Sequence, residues 1–437
     1  MPAPAVATAT PPQARLLAAG PASPEAEAAA GFISRTLASG GDHYVYPEST
    51  WFDGGNTIDA IIALDAVGSE PAQSDSSFAF LEANVGGYIG TDYDSLYAGP
   101  TAKTLLGVLS HGGDPSAFGG LDLVEELQAS EGAVEPGRFS DLPVDCGFSE
   151  CDYSNTIGQS LALIALSRAG EPLSTASVEV LLDQQCSDGG FRGTIGGGTC
   201  VTDADATAFA VQALIAAGRT LLCGTGTDGL PARVTAASAA ALDRLEALQG
   251  PSGGLVSDDG VANANTTGVA GQAFIAGGRT AAAASATTFI ASLQYDATAP
   301  ESLRGGIAFS ADSLSTTTPS DSDLRATPQA TLALSGLSLV DTAADGVQMP
   351  APVTTCPPVR TPPASEPPPS SGGSEPGATG AQGSDADDDA AAGVATGPTG
   401  SLAQTGSDLL APVGLGLALV LVGAIAVAAS RRRGAHA

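Results

Sequence analysis

Thr207-Ala-Phe-Ala-Val-Gln-Ala-Leu-Ile-Ala-Ala-Gly218 is the stretch that decides the fold of this 437-residue chain. It is a run of small and apolar residues that ends at a glycine, the pattern of a buried helix with a glycine C-terminal stop. Close counterparts recur along the chain, as do two looser copies, and they end at Gly68, Gly112, Gly170, Gly278 and Gly336. Such recurrence, with the closing glycines about 44 to 60 residues apart, indicates a repeat protein.

A second, amphipathic helix type lies between these apolar runs. In residues 241–249, Ala241, Leu242, Leu245 and Leu248 fall on one face, and the charged residues face away. A glycine pair follows each amphipathic helix and permits a sharp reversal, because glycine adopts positive φ at low cost. The pairs are Gly86-Gly87, Gly189-Gly190, Gly253-Gly254 and Gly305-Gly306. The sequence therefore predicts two concentric rings of helices, with the apolar helices inside.

The stretch Gln184-Gln185-Cys186-Ser187-Asp188-Gly189-Gly190-Phe191, followed by Asp203-Ala-Asp-Ala-Thr-Ala208, resembles the prenyltransferase/squalene-oxidase repeat. This resemblance implies an all-α fold, an (α/α)6 toroid of six helix-pair repeats, over residues 22–350. It does not specify an activity, because the superfamily includes terpene cyclases, protein prenyltransferases, cobalamin carriers and thioester domains.

The C-terminal region predicts attachment to a cell wall. Residues 351–401 are rich in Pro, Gly, Ser and Asp, without apolar periodicity, and indicate an extended spacer. Leu402, Ala403, Gln404, Thr405 and Gly406 resemble the L-A-x-T-G sorting signal of class E sortases in actinobacteria. The resemblance implies that a sortase cleaves after Thr405 and joins the protein to peptidoglycan.

A membrane segment and a basic tail follow the sorting signal. Residues 409–429 are uncharged and long enough to form one transmembrane helix. Arg431, Arg432 and Arg433 lie in the tail, residues 430–437, and predict that this end is cytoplasmic. We therefore expect a type I orientation at the cell surface, with the membrane as a transient or permanent partner. Residues 1–21 are expected to be a flexible N-terminus with the true signal peptide upstream.

Charge and cysteine content agree with an exported protein. The formal net charge is −31, which argues against nucleic acid as a partner. Six cysteines in an exported chain favour disulfides over a metal site, and neither a metal nor a cofactor is expected. The pairings we expect are Cys146–Cys151, Cys186–Cys200 and Cys223–Cys356.

The residues match the motifs of three activities of this superfamily incompletely or not at all. Asp203 and Asp205 resemble two of the three aspartates of the D-x-D-D motif of squalene-hopene-type cyclases, but Ala206 replaces the last. In that interpretation Asp205 is the acid; in the other, one of the two aspartates caps the next helix. Neither the zinc triad of a protein prenyltransferase nor the Gly-Cys-Gly-Glu-Gln pattern of a thioester domain is present.

Aromatic and acidic residues precede the predicted inner helices and suggest a ligand pocket at that end of the toroid. The candidates are Tyr44, Trp51, Asp53, Tyr88, Asp92, Tyr93, Asp203 and Asp205. The function predicted from the sequence is a wall-anchored protein whose toroid binds an unidentified ligand or surface partner without catalysis. The alternatives are a terpenoid-cyclase-like enzyme that uses Asp205, and an adhesion or structural wall protein.

Overall fold

A computed structural model describes residues 22–46, 51–143, 152–224, 228–257, 260–344 and Cys356. Twelve α-helices within these ranges alternate between an outer and an inner ring. The outer helices are α1 Pro24–Ser39, α3 Pro71–Ile89, α5 Leu123–Ala129, α7 Thr175–Leu182, α9 Leu230–Leu248 and α11 Thr280–Ser292. The inner helices are α2 Gly54–Val67, α4 Ala98–His111, α6 Thr156–Arg168, α8 Ala204–Gly218, α10 Ala264–Ala276 and α12 Asp321–Leu334.

Each inner helix packs against the next, and α12 closes the ring against α2. The predicted all-α toroid of six helix pairs is confirmed. Two short strand pairs lie outside the helices: β1 Leu173–Ser174 runs parallel to β2 Leu222–Cys223, and β3 Leu255–Val256 runs antiparallel to β4 Ala262–Asn263. Single 3₁₀ turns occupy Thr91–Tyr93 and Asp312–Ser315.

Burial separates the two helix types as their sequences predict. Helix α8 is buried on every side from Ala204 to Leu214, because it packs against α6, α9 and α10 at once. Helix α9 buries one stripe and exposes the rest. That stripe consists of Leu230, Val234, Ala237, Ser238, Ala241, Leu242 and Leu245.

A threonine in the second turn of most inner helices fixes the loop that precedes the helix. The hydroxyl groups of Thr57, Thr207, Thr267 and Thr327 accept the backbone N–H of a loop residue at 2.9 to 3.0 Å. In the third unit the side-chain oxygen of Gln159 takes this role. Each of these hydrogen bonds contributes about 1 kcal/mol to stability. Because they recur at equivalent positions, the loops end at the same height around the ring.

In three of the units, a glutamine and a glycine join one outer helix to the next. The side-chain amide of Gln249 donates to the carbonyl oxygen of Gly253 and to that of Ala282 in α11. Gln185 and Gln294 make the equivalent pairs of bonds. The first glycine of each pair has positive φ, as the glycine-pair pattern predicts.

The first pair, Gly86-Gly87, is an exception, and its assignment to a turn is wrong. Helix α3 continues through both residues to Ile89 and ends at Gly90, which has a φ of 100°. Residue 86 lacks a side chain for another reason, since a Cβ on Gly86 would lie 2.3 Å from the Asp92 carboxylate.

We expect Gly253→Ala to destabilise the toroid strongly. A Cβ at this position would lie 2.2 Å from the carbonyl oxygen of Ser285, so α9 and α11 must move apart, at a cost of about 3 kcal/mol with the φ penalty. Gly260→Ala is the matched control, because Gly260 also has positive φ but no atom within 4 Å of the added carbon. Chemical denaturation gives the free energy of unfolding of both variants. An equal loss of stability in the two would show that the contact with Ser285 is not the cause.

The chain beyond α12 seals the C-terminal ends of the inner helices. The backbone N–H of Leu339 donates to the side-chain oxygen of Gln212 at 3.0 Å, and that of Ala344 donates to the Ser110 carbonyl at 2.7 Å. The Cys223–Cys356 disulfide attaches the next described residue to the loop after α8. This end of the toroid is therefore closed.

The second disulfide joins Cys186 to Cys200, so both described disulfides are pairs that the sequence predicted. The Cys146–Cys151 pair lies outside the described residues. So do residues 1–21, the spacer at 351–401 apart from Cys356, the signal at 402–406, the helix at 409–429 and the tail at 430–437. Among the helices that the structure does describe, none has both the length and the apolar character needed to cross a bilayer.

Candidate functional site

The six inner helices enclose a cavity on the axis of the toroid. Its volume is about 530 Å³, including space open to solvent. Leu339 lies at its closed end, so the cavity opens where the inner helices begin. The lining side chains are Asp59, Ile62, Lys103, Leu106, Ile157, Leu161, Phe209, Val269, Gln272, Pro328, Gln329, Leu332 and Leu339. Four of these thirteen are polar, and they define the chemistry of the site.

One wall of the cavity holds an ion pair. The ammonium of Lys103, the only lysine of the chain, lies 2.8 Å from Oδ2 of Asp59. Both side chains are largely buried, with 13% and 11% exposure. The side-chain amide of Gln329 donates to the same Asp59 oxygen at 3.0 Å. Three consecutive helices of the ring, α12, α2 and α4, thus supply one hydrogen-bonded group.

Two amide oxygens in this cavity lack hydrogen-bond partners among the described residues, those of Gln272 and Gln329. Their orientation is fixed by the amide nitrogens, since Gln272 donates to the carbonyl oxygen of Gln329 and Gln329 donates to Asp59. A buried acceptor without a donor costs about 1 to 3 kcal/mol. A ligand that carries hydroxyl groups could recover this cost.

The opposite wall is apolar, and an aspartate precedes its lining residue in the same helix. Phe209 of α8 lines the cavity, and Asp205 lies four residues earlier, on the same face and nearer the mouth. Asp205 is 2% exposed. Asp203, not Asp205, caps α8: its carboxylate accepts the backbone N–H of Ala206 at 2.8 Å. The two aspartates therefore have different roles, which the sequence alone left open.

Gly55 creates a small polar recess beside the ion pair. A Cβ on Gly55 would lie 3.3 Å from the Tyr88 hydroxyl, 3.7 Å from Oδ1 of Asp53 and 3.8 Å from Nζ of Lys103. These three groups therefore converge on a space that only glycine leaves open. The recess continues the polar wall toward the mouth.

Asp53 itself is the N-cap of α2. Its Oδ1 accepts the backbone N–H of Asn56 at 3.0 Å, and its Oδ2 accepts the side-chain amide of Asn56 at 2.8 Å. Burial raises the pKa of the Asp53 carboxyl, while the Asn56 hydrogen bonds and the charges of Arg325 and Lys103 oppose the rise. Because both oxygens are occupied, we assign Asp53 a capping role.

The remaining predicted ligand residues do not form one pocket. Tyr44 is buried within the loop that precedes α2. Tyr88 lies half-buried in the last turn of α3, and only its hydroxyl reaches the recess at Gly55. Asp92 belongs to the 3₁₀ turn that follows α3, beside Gly86. Trp51 and Tyr93 are exposed at the mouth, by 67% and 68%.

Sequence reasoning missed the cavity residues Asp59, Lys103, Gln272 and Gln329. A signal was available, because Asp59 and Lys103 are charged residues in the middle of helices that are otherwise small and apolar. A charge inside a buried helix requires a partner. The glutamines carry no comparable signal.

A serine, a histidine and an aspartate also meet between α2, α3 and α4, but they do not form a catalytic triad. The Ser74 hydroxyl donates to Asp65 at 2.6 Å, and Nδ1 of His111 lies 3.1 Å from Asp65 and 3.5 Å from Ser74. A triad needs the serine and the aspartate on opposite ring nitrogens. In the part of the chain that is described, no cluster of three His, Cys, Asp or Glu side chains is suited to a metal ion.

No protein-family model matches this chain, and no curated protein is similar to it. Solved structures do resemble it. Haptocorrin in complex with Cbi has a TM-score of 0.51 at 14% identity, over 76% of this chain and 72% of haptocorrin. An unsaturated glucuronyl hydrolase from Bacillus sp. GL1, described as responsible for the degradation of glycosaminoglycan, has a TM-score of 0.51 at 14% identity, over 71% of this chain and 95% of the hydrolase.

A second structure of such a hydrolase, with the saccharide dGlcA-Glc-Rha-Glc, gives a TM-score of 0.51 at 13% identity, over 71% of this chain and 95% of that one. At these identities the likeness establishes the α/α-toroid fold. It also overturns the predicted binding role without catalysis, because glycoside hydrolases are among the neighbours of this toroid. The prediction is therefore wrong in its main statement, and the enzyme alternative fits better.

Proposed function

We propose that this protein is a hydrolase of glycosidic bonds, with its active site in the axial cavity. The observation that carries the proposal is the pair of buried amide oxygens without donors, on Gln272 and Gln329, beside the Asp59–Lys103 ion pair. Sugar hydroxyl groups are the donors that these oxygens require. The apolar wall suits the CH faces of a sugar ring.

Two carboxyl groups on opposite helices suit inverting hydrolysis. Six helices packed in a ring at about 8 to 10 Å put opposite helix axes roughly 16 to 20 Å apart. Side chains that reach inward from α2 and α8 then leave roughly 6 to 8 Å across the ring. Asp59 is the sixth residue of α2 and Asp205 the second of α8, an offset of roughly 6 Å along the axis, so the two carboxyl groups are roughly 8 to 10 Å apart. Inverting glycosidases hold their carboxyl groups about 6.5 to 9.5 Å apart. Asp59 and Asp205 are candidates for this pair.

We propose Asp59 as the base, because it is the carboxyl group that pairs with Lys103, and Asp205 as the acid. Asp205 gives its proton to the glycosidic oxygen as the bond to the anomeric carbon breaks. A water molecule attacks that carbon from the other side and gives a proton to Asp59, whose charge Lys103 balances. The hydrogen bond from Gln329 orients the Asp59 carboxylate. The products are the alcohol of the leaving group and a sugar whose anomeric carbon has the inverted configuration.

Charge limits the substrate class. A net charge of −31 repels polyanions, so we propose a neutral or cationic glycoside, in contrast to the glycosaminoglycan of the similar hydrolase. The cyclase alternative also uses Asp205, but Phe209 is the one aromatic side chain among the cavity residues, and cyclases need several aromatic faces to stabilise carbocations. The hydrolase is the better-supported enzyme.

The test is a screen of 4-nitrophenyl glycosides of neutral and amino sugars with the wild type, followed by Asp205→Asn. We expect the substitution to lower kcat about 100-fold or more, since the amide cannot donate the proton in the same way. Asp203→Asn is the matched control, because asparagine caps α6 and α10 in this protein and should cap α8 equally well. Equal activity in the two variants would contradict the role of Asp205.

The proposal extends to the location of the protein. We propose that it is a member of the prenyltransferase-like repeat proteins that is exported, cleaved at Thr405 by a class E sortase and attached to peptidoglycan by the spacer at 351–401. The residues that support this are the sorting signal, the apolar segment and the arginines that follow it. A wall-attached glycosidase would act on glycans outside the cell.

A further inference from the structure

All large apolar side chains that are exposed in the described residues lie at one end of the toroid. There are eight: Trp51, Tyr93, Val134, Tyr153, Val201, Val256, Val261 and Leu314. Every one belongs to a connection that leads from an outer helix to an inner helix. The described connections at the other end carry none. A ligand or partner that needs apolar contacts would find these exposed side chains at this end of the toroid.

This surface surrounds the mouth of the axial cavity, because the inner helices begin there. Its two halves differ in chemistry. Trp51, Tyr93 and Tyr153 precede α2, α4 and α6 and are 67%, 68% and 56% exposed. With one exception, Val134, the aliphatic residues precede α8, α10 and α12. We call the three aromatic residues the aromatic rim.

The aromatic rim adjoins the polar wall of the cavity. Asp59 belongs to α2 and Lys103 to α4, so the rings of Trp51 and Tyr93 lie on the loops that lead directly into these helices. A ligand seated at the polar wall would leave the cavity past the aromatic rim. Since Leu339 closes the far end, a long ligand enters by one of its ends.

We infer that the aromatic rim binds an unbranched neutral glycan chain whose terminal sugar occupies the cavity. This inference rests on the proposed glycosidase function and adds that the substrate is a polymer cut from its end. Trp and Tyr present an apolar ring and a polar tip, which match the CH face and the hydroxyl groups of a sugar. The acidic character of the protein favours an uncharged chain over a uronate polymer.

Binding is measured first, independently of turnover. Isothermal titration of the Asp59→Asn protein with malto-, cello-, xylo-, manno- and chitohexaose should find one that binds. The triple substitution Trp51→Ala, Tyr93→Ala and Tyr153→Ala should lower the affinity for that hexasaccharide at least 30-fold. It should lower the affinity for the corresponding disaccharide less than threefold. The control is Val201→Ala with Val256→Ala and Val261→Ala, which should change neither affinity.

Three results would overturn the inference. In the first, the triple variant binds the hexasaccharide as tightly as the parent does. In the second, its affinity for the disaccharide falls as much as its affinity for the hexasaccharide. Neither result fits a binding surface outside the cavity. In the third, no hexasaccharide binds and the triple substitution instead abolishes a dimer seen by sedimentation, which would assign the rim to a second copy of this chain. The proposed function fails separately, if the wild type binds the hexasaccharide through the rim but releases no product from it.

Discussion

Asp59→Asn should reduce kcat on a glycoside substrate at least 1,000-fold, with a much smaller change in KM. The amide cannot accept the proton of the attacking water, whereas Lys103 and Gln329 can still hydrogen-bond to its oxygen and keep the substrate cavity in shape. A loss confined to kcat is the signature of an interaction made in the transition state. Initial-rate kinetics on the best substrate of the aryl-glycoside screen measures it.

A folding defect must be separated from a chemical one, because this substitution leaves a buried ammonium without its carboxylate. The double variant Asp59→Asn with Lys103→Gln removes both charges and should melt close to the wild type while remaining inactive. Asp243→Asn on α9, a carboxylate that is 67% exposed, is the control and should be fully active. An active, folded double variant would refute Asp59 as the base.

The ring of helix pairs was predictable because the sequence patterns that indicate it are local. Five of the six glycines that end the apolar runs have positive φ, as do Gly189, Gly253 and Gly305, and this conformation follows from short-range sterics. Gly218 is the exception, because α8 continues through it to an Arg219 cap. Gly86-Gly87 shows the limit of this reasoning. The same dipeptide continues a helix there, and the close approach of the Asp92 carboxylate to Gly86 accounts for the missing side chain.

The candidate site was not predictable, for the opposite reason. Asp59 and Lys103 are 44 residues apart, and Gln329 is 270 residues from Asp59. They meet only because α12 closes the ring against α2, and no local pattern reports that contact. The loop aspartates were easier to see in the sequence, yet Asp53 and Asp203 are used to cap helices.

Arg168→Met should lower the free energy of unfolding by about 3 to 5 kcal/mol, because it leaves buried hydroxyl and carbonyl acceptors without a donor, at about 1 to 3 kcal/mol each. Arg168 is 4% exposed in the last turn of α6. Its guanidinium donates to the Ser110 hydroxyl and to the Leu339 carbonyl at 3.0 Å, and to the Thr342 carbonyl. Burial lowers the pKa of Arg168 to about 10, so the group is still charged at neutral pH and needs these acceptors.

The substitution should also loosen the closed end of the cavity, because two of the three acceptors belong to the segment that contains Leu339. Hydrogen exchange of residues 337–344 should therefore accelerate in Arg168→Met beyond what global unfolding explains. Arg219→Met is the control: Arg219 is 51% exposed, pairs with Asp341 of the same segment, and should cost less than about 1 kcal/mol. Equal losses in the two variants would mean that an exposed ion pair, rather than the buried guanidinium, holds the segment in place.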